Sequence, residues 1–244
     1  METVTTDTQD SGDKVRKAVV LLSGGMDSTT ILYLAKSKGF ETHCLTIDYG
    51  QLNSEEIKRA RIIAEGSRST IKVLEIDLAK LLKSEMLKTG TANLEKNRTL
   101  VEIENRNVTP ASYIPARNLI FLGVAISYAE SIGALDIFTG LYNGATYPDA
   151  TTKFCKAMER VAQKATYAGR QGKRFKVHTF GKLSVFEVAQ MGVDLGADLG
   201  STISCYSPND GKPCGACDAC VVRKEVFAHL GFDDPATVGS ANEL

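Results

Sequence analysis

An apolar run at residues 18–22 is followed at once by Ser23-Gly24-Gly25-Met26-Asp27-Ser28 and then by an amphipathic run at 29–34. That order reads strand, glycine turn, helix, and it commits the start of the chain to a β-turn-α unit. Gly24 and Gly25 open backbone angles closed to other residues, so the chain can turn sharply with its amides facing outward. Those amides, the helix N-terminus behind them and the hydroxyls of Ser23 and Ser28 make an anion cradle. Asp27 is the exception, because a carboxylate beside bound phosphate repels it. A divalent cation bridging Asp27 and phosphate resolves the conflict. Two glycines after a strand are ordinarily no more than a tight turn; the whole hexapeptide in this setting is what points to phosphate. It is neither the Gly-Lys-Ser/Thr loop nor Gly-x-Gly-x-x-Gly.

The pattern then repeats. The first helix is expected over 28–38, with Gly39 at its end, and a second strand over 42–47. That strand ends in Asp48-Tyr49-Gly50-Gln51. Asn53 or Ser54 caps a helix to about 64, with Glu55 and Glu56 in the first turn, where the helix dipole favours acids. A third strand covers 71–76. Alternation at this spacing predicts an α/β fold, a doubly wound, mostly parallel sheet. Ligands bind such sheets beyond the carboxyl ends of the strands, where residues 23–28 and 48–51 both fall.

Residues 87–113 break the rhythm: polar, with little periodicity, they read as a long loop or mobile lid. Residues 112–118 lead into an apolar helix over 119–131. A strand over 135–139, a loop over 142–149, a helix over 151–167, a short strand over 176–179 and a helix over 184–191 follow. Ser184 and Glu187 form the reciprocal cap of that last helix.

The chain has 244 residues, and its 29 basic and 29 acidic side chains leave no net charge to favour nucleic acid or membrane as partner. No run of 18 apolar residues exists. Residues 1–16 are polar and lack the apolar centre of a signal peptide, so they read as a disordered lead-in and the protein as cytoplasmic. Of six cysteines, Cys44 and Cys155 fall in apolar strand and helix patterns and read as packing residues.

The other four, Cys205, Cys214, Cys217 and Cys220, are spaced C-x8-C-x2-C-x2-C, with Gly211, Pro213 and Gly215 supplying turns. A four-thiolate structural Zn2+ site is the leading reading in a reducing compartment. An iron–sulfur cluster and disulfides are the competing uses. Metal would fold a stretch too poor in apolar residues to fold alone, and a helix over 217–230 then packs back on the body. The expected organisation is a tail at 1–16, a main domain at 17–200 and a small zinc-binding subdomain at 201–244.

The phosphate loop looks like the pyrophosphatase loop of the N-type ATP pyrophosphatases. Taken in order with Asp48-Tyr-Gly-Gln51, Ile114-Pro-Ala-Arg-Asn118, Tyr147-Pro-Asp149 and Ser204-Cys-Tyr206 before the cysteine cluster, the chain resembles the 7-cyano-7-deazaguanine synthases over residues 17–232. The resemblance implies an adenine-nucleotide α-hydrolase-like fold and an ATP-dependent ligase of queuosine biosynthesis. That enzyme adenylates the carboxylate of 7-carboxy-7-deazaguanine and lets ammonia displace AMP. A second ATP then activates the amide for dehydration to the nitrile. On this resemblance Ser23, Gly24, Gly25, Met26, Asp27, Ser28 and Asp48 hold ATP, and Asp27 holds magnesium. Tyr49, Gln51, Arg117, Asn118, Tyr147 and Asp149 line the substrate site, and the assembly is a homodimer.

Some positions depart from the family pattern. Leu52-Asn53 replace Arg-His, Ala145-Thr146 and Ala150-Thr151 flank Tyr-Pro-Asp, Val185 replaces a lysine and Ile203 a tryptophan. The loop and the cysteines are kept whole, while the base-binding segments have changed. A second expectation is therefore a paralogue that activates the same or a similar carboxylate but stops at the amide, or passes the acyl group to an amine such as that of a protein. A third is a nucleotide- or nucleic-acid-binding module without turnover.

Overall fold

The computed structural model describes residues 15–90, 93–105, 108–142 and 147–235. Strands β1 (Lys17–Leu21), β2 (Glu41–Asp48), β3 (Thr70–Glu75), β4 (Asp136–Thr139) and β5 (Lys176–His178) form one sheet in the order β3-β2-β1-β4-β5, with every pairing parallel. The central strand β1 is covered on both faces, as parallel sheets are, and its alternate side chains feed different layers. Val20 joins Ile31, Leu32, Ala60, Ile63 and Val188, which come from α1 (Met26–Ser37), α2 (Glu55–Gly66) and α7 (Val185–Asp194). Val19 joins Leu122, Ala125, Ile126 and Met158 from α4 (Arg117–Ser131) and α5 (Thr152–Ala165). The result is a helix–sheet–helix sandwich.

The chain moves outward from β1 to β3 and then returns to place β4 on the other side of β1. Connections therefore leave β1 and β4 in opposite directions, which opens a crevice beyond their carboxyl ends. The phosphate loop occupies that crevice.

Helix α1 starts at Met26, two residues earlier than the pattern suggests, so the loop's acid belongs to the first helical turn. Within 87–113 the described residues are largely the loop expected, with two additions. Leu87 and Leu94 are buried, and α3 (Leu100–Glu104) carries a complete capping box between Thr99 and Glu102. Five residues are too few to show helical periodicity, which is why the sequence hides them. Residues 152–170 form two helices, because Thr166 leaves helical geometry to cap α6 (Tyr167–Arg170). Helix α7 carries the expected Ser184–Glu187 capping box. The final helix, α8 (Asp218–Leu230), ends on Gly231 at φ +78°, the left-handed C-cap that favours glycine.

Of the expected lead-in at 1–16, residues 1–14 lie outside the described residues. Arg16 is tied down: its guanidinium bonds Asp136 at 2.7 Å and lies over the Phe40 ring. No helix among the described residues is long and apolar enough to cross a membrane.

Candidate active site

The phosphate loop is shaped by what surrounds it. Gly24 sits at φ +88°, and a Cβ there would lie 2.4 Å from the Glu56 carbonyl oxygen, so both backbone angle and packing exclude a side chain. Gly140, at the end of β4, comes as close on the other side: its Cβ would meet the Asp27 and Ser28 backbone at 2.9–3.0 Å. Gly25 differs from expectation. At φ −87° it is in the extended region and is no backbone outlier. The loop is braced internally, with the Ser23 amide and hydroxyl both donating to Ser28 Oγ at 3.1 and 3.0 Å.

Helix α1 has no side-chain N-cap, and the first of its amides to find a backbone acceptor is Thr29, on the Gly25 carbonyl. The amides of Met26, Asp27 and Ser28 have no acceptor among the described residues, so three donors at a positive helix end are available to an anion. The Met26 side chain itself is packing, buried with Ala189, Leu199, Val226 and Phe227. Asp27 has no hydrogen-bond donor or counter-charge among the described residues, and burial pushes its carboxyl up to about 7. A carboxylate so placed suits a divalent cation.

The loop opens on a cleft of about 690 Å3 whose lining includes Tyr49, Gln51, Glu56, Arg117, Asn118 and Tyr147. Arg117, the first residue of α4, reaches the Tyr49 hydroxyl at 3.3 Å and lies over the Tyr49 and Phe121 rings. It meets no carboxylate within ion-pair distance among the described residues. A guanidinium held by aromatic faces, with no carboxylate at ion-pair distance, suits phosphate or carboxylate. Burial pushes the Tyr49 phenol up to about 12, so it stays neutral. Tyr147 stacks on Tyr113 at 5.7 Å and bonds Ser112 Oγ at 2.7 Å, leaving its ring on the cleft wall.

Three of the expected site residues act behind the cleft surface or at its edge. Asp149 accepts the Asn118 amide at 2.9 Å and so caps the start of α4. Gln51 Oε1 accepts the Tyr49 amide at 2.9 Å, which fixes the turn after β2 as well as lining the cleft. Asp48 accepts the Gly50 amide at 3.3 Å in that same turn and lies outside the cleft lining.

The sulfurs of Cys205, Cys214, Cys217 and Cys220 all lie within 4.8 Å of one another. Tetrahedral thiolates about 2.3 Å from one zinc stand about 3.8 Å apart, so the set fits such an ion with little movement. Cys44 and Cys155 are buried elsewhere, and burial raises both thiols, to about 12 and about 11, as packing residues would have it.

The cluster is wired to the cleft in three places. The Ile203 amide donates to the Gly24 carbonyl at 3.0 Å. Asn53 Nδ2 donates to the Cys205 carbonyl at 2.8 Å. The Asn97 amide donates to the Ala216 carbonyl at 2.8 Å, and Arg98 grips both oxygens of Asp218, so α3 is held over the cleft beside the cysteines.

Comparison with known proteins bears on this arrangement. The profile of the family described as "Queuosine biosynthesis protein QueC" matches residues 17–231. The chain belongs to that family. Curated relatives named 7-cyano-7-deazaguanine synthase include one from Myxococcus xanthus, 41% identical over 91% of this chain and 96% of its own length. Another, from Legionella pneumophila strain Philadelphia 1, is 42% identical over 91% and 96%. Among solved structures, a 4-thiouridine synthetase–RNA complex with bound ATP covers 88% of this chain and 50% of its own, at TM-score 0.46 and 17% identity, too distant to bear on function.

Within the family, this chain's departures have local reasons. Asn53 is the tie to Cys205, and Thr151 caps α5 by accepting the Phe154 amide at 3.1 Å. Ile203 is buried in the cluster of cysteines while its backbone holds the loop. Val185, at the first position of α7, lines the cleft. Ala145 and Thr146 lie outside the described residues. Sequence reasoning missed two groups. Glu56 was read only as a favourable first-turn acid, yet it lines the cleft and burial pushes it up to about 7 against the pull of Arg117. Arg223, one turn after Cys220, is buried and bonds Asp234, Thr202 and the Leu199 carbonyl.

Proposed function

We propose that this chain is an ATP-dependent carbon–nitrogen ligase that converts 7-carboxy-7-deazaguanine, through the amide, to 7-cyano-7-deazaguanine with ammonia as nitrogen donor. What carries the reading is the family match along more than nine-tenths of the chain to proteins named for that product. The cleft supports it chemically. A carboxylate resists amines until one of its oxygens belongs to a good leaving group, and adenylation supplies one. The free amides of residues 26–28 receive phosphate, and Arg117 neutralises charge on the substrate carboxylate or the transferring phosphate. The Tyr147 face offers stacking to the bicyclic base.

The donor sets fit two metals. Asp27 would hold Mg2+, which screens the triphosphate, and the four cysteines would hold Zn2+ as a structural ion. We assign zinc no part in the chemistry: its ligands fill a closed site, and its wiring through Ile203, Asn53 and Asn97 keeps the loop and α3 in place.

The paralogue reading, in which the acyl group stops at an amide or goes to a protein, has no observation of its own in its favour. Of the changed positions, Asn53, Thr151 and Ile203 have structural partners, and Val185 lines the cleft. Mass spectrometry of the products from zinc-loaded protein, ATP, magnesium, ammonium and the carboxylate tests the proposal. Free nitrile with AMP and pyrophosphate is expected; amide alone, or acyl mass on protein, would refute it.

A further inference from the structure

We propose that Glu56 is the catalytic proton acceptor: it removes the nitrogen's proton as the amide forms and again as the amide becomes the nitrile. The inference rests on the reaction proposed above and adds a residue to it.

The chemistry demands a base at each stage. In the first, the ammonia nitrogen bonds to the acyl carbon and the carbon–oxygen bond to AMP breaks, its electron pair leaving on AMP. A proton must then leave the nitrogen. In the second, the amide oxygen bonds to the α-phosphorus of ATP, pyrophosphate leaves with its electron pair, and the nitrogen gives the first of its two protons to solvent. The last N–H bond breaks, its pair completes the carbon–nitrogen triple bond, and the carbon–oxygen bond breaks with its pair on AMP. In both stages the proton passes to the Glu56 carboxylate, which returns it to solvent between rounds.

The cleft offers few other acceptors. Among the described residues, none of the three histidines, His43, His178 and His229, lines it, and neither does any lysine. Four carboxylates among the described residues do: Asp27, Glu56, Glu104 and Asp218. Asp218 is gripped by Arg98. Glu104 is exposed at the end of the five-residue α3, on the outer rim of the cleft rather than beside the phosphate loop. Asp27 lies at the helix end that receives phosphate, where a cation claims it. Glu56 remains, with neither a hydrogen bond nor an ion pair to its carboxylate among the described residues.

Its position is fixed. Glu56 is the second residue of α2, and its carbonyl packs against Gly24 so tightly that a methyl group there would sit 2.4 Å away. The side chain therefore stands beside the phosphate loop. The groups that act on it are Arg117 from α4 and the neutral Tyr49 phenol beyond β2. Arg117 is the group that would hold the acyl oxygen or the AMP phosphate, so the reacting nitrogen arrives between the guanidinium and this carboxylate. A carboxyl raised to about 7 by burial is matched to accept a proton near neutral pH and release it again.

The test separates adenylation from proton removal. Carboxylate-dependent exchange of pyrophosphate into ATP needs only the first activation, while nitrile formation from the isolated amide needs ATP and a base but no ammonia. Glu56→Gln is expected to keep exchange within about 3-fold of wild type and to slow nitrile formation from the amide by about 10²-fold or more. Glu56→Asp, a shorter base, is expected to recover part of that loss. Wild-type speed from amide to nitrile in Glu56→Gln would overturn the inference. So would parallel loss of exchange with an unchanged melt, which would make Glu56 a binding group. Should Glu56→Gln melt early, the same split is read on Glu56→Asp, and its absence there overturns the proposal. Wild-type protein without carboxylate-dependent exchange would sink the reaction itself, a result distinct from failure of Glu56 alone.

Discussion

Replacing Asp27 by asparagine should stabilise the metal-free protein at alkaline pH even though it removes a loop residue. Burial raises this carboxyl from 3.8 to about 7 without a compensating donor or cation. The folded state therefore binds the proton more tightly than the unfolded chain does. Stability from this group is fully present below 3.8 and is lost as pH rises to about 7. A shift of about three units at about 1.4 kcal/mol each gives an upper limit of about 4 kcal/mol above pH 7. About 3 kcal/mol of that falls between pH 5 and pH 8. Glu56 titrates in the same window but is common to both proteins, so the comparison isolates Asp27. Urea unfolding in chelator at pH 5 and pH 8 is the assay. Wild type should lose up to about 3 kcal/mol more than Asp27→Asn between the two. Magnesium with ATP should then stabilise wild type strongly and the variant weakly. Identical pH dependence in the two proteins would refute the claim that this half-buried carboxylate is desolvated without a partner.

Gly24→Ala should cost about 2–4 kcal/mol, through the left-handed backbone angle and the contact with the Glu56 carbonyl, read as a lower urea midpoint with poor nucleotide binding. Thr151→Ala removes the cap of α5 and should cost about 1 kcal/mol, with ATP affinity unchanged, checked by unfolding and titration calorimetry. Cys217→Ser should abolish stoichiometric zinc by elemental analysis and raise amide hydrogen exchange at residues 93–105, because those residues pair with the cysteine segment. Arg98→Ala should raise exchange over the same residues while zinc stays bound, since Arg98 ties that segment to both oxygens of Asp218.

Sequence and structure agree where a residue's neighbours along the chain decide its fate. The β-turn-α unit at the phosphate loop, the Ser184–Glu187 cap and the spacing of the four cysteines are local signals, and each is found where the pattern predicts. The parallel sheet follows from the alternation of strands and helices, though the pattern alone does not give the return of β4 to the side of β1. What stayed hidden depends on contacts far along the chain. Glu56 looks like any first-turn acid until Arg117, 61 positions later by number, is brought across the cleft from it. Asp149 reads as part of a substrate loop, and its hydrogen bond from the Asn118 amide, 31 residues back, shows only in the fold. The segment at 93–105 reads as loop because its order comes from Ala216, Cys217 and Asp218 rather than from its own periodicity.

The measurement that tests the account most directly is the ratio of AMP to nitrile when wild-type, zinc-loaded protein turns over 7-carboxy-7-deazaguanine with ATP, magnesium and ammonium, both products being quantified by chromatography. Two adenylations per turnover predict two AMP for each nitrile, with amide rising first and then consumed. One AMP with amide as the end product, or AMP accumulating without any nitrogen-containing product, would contradict it.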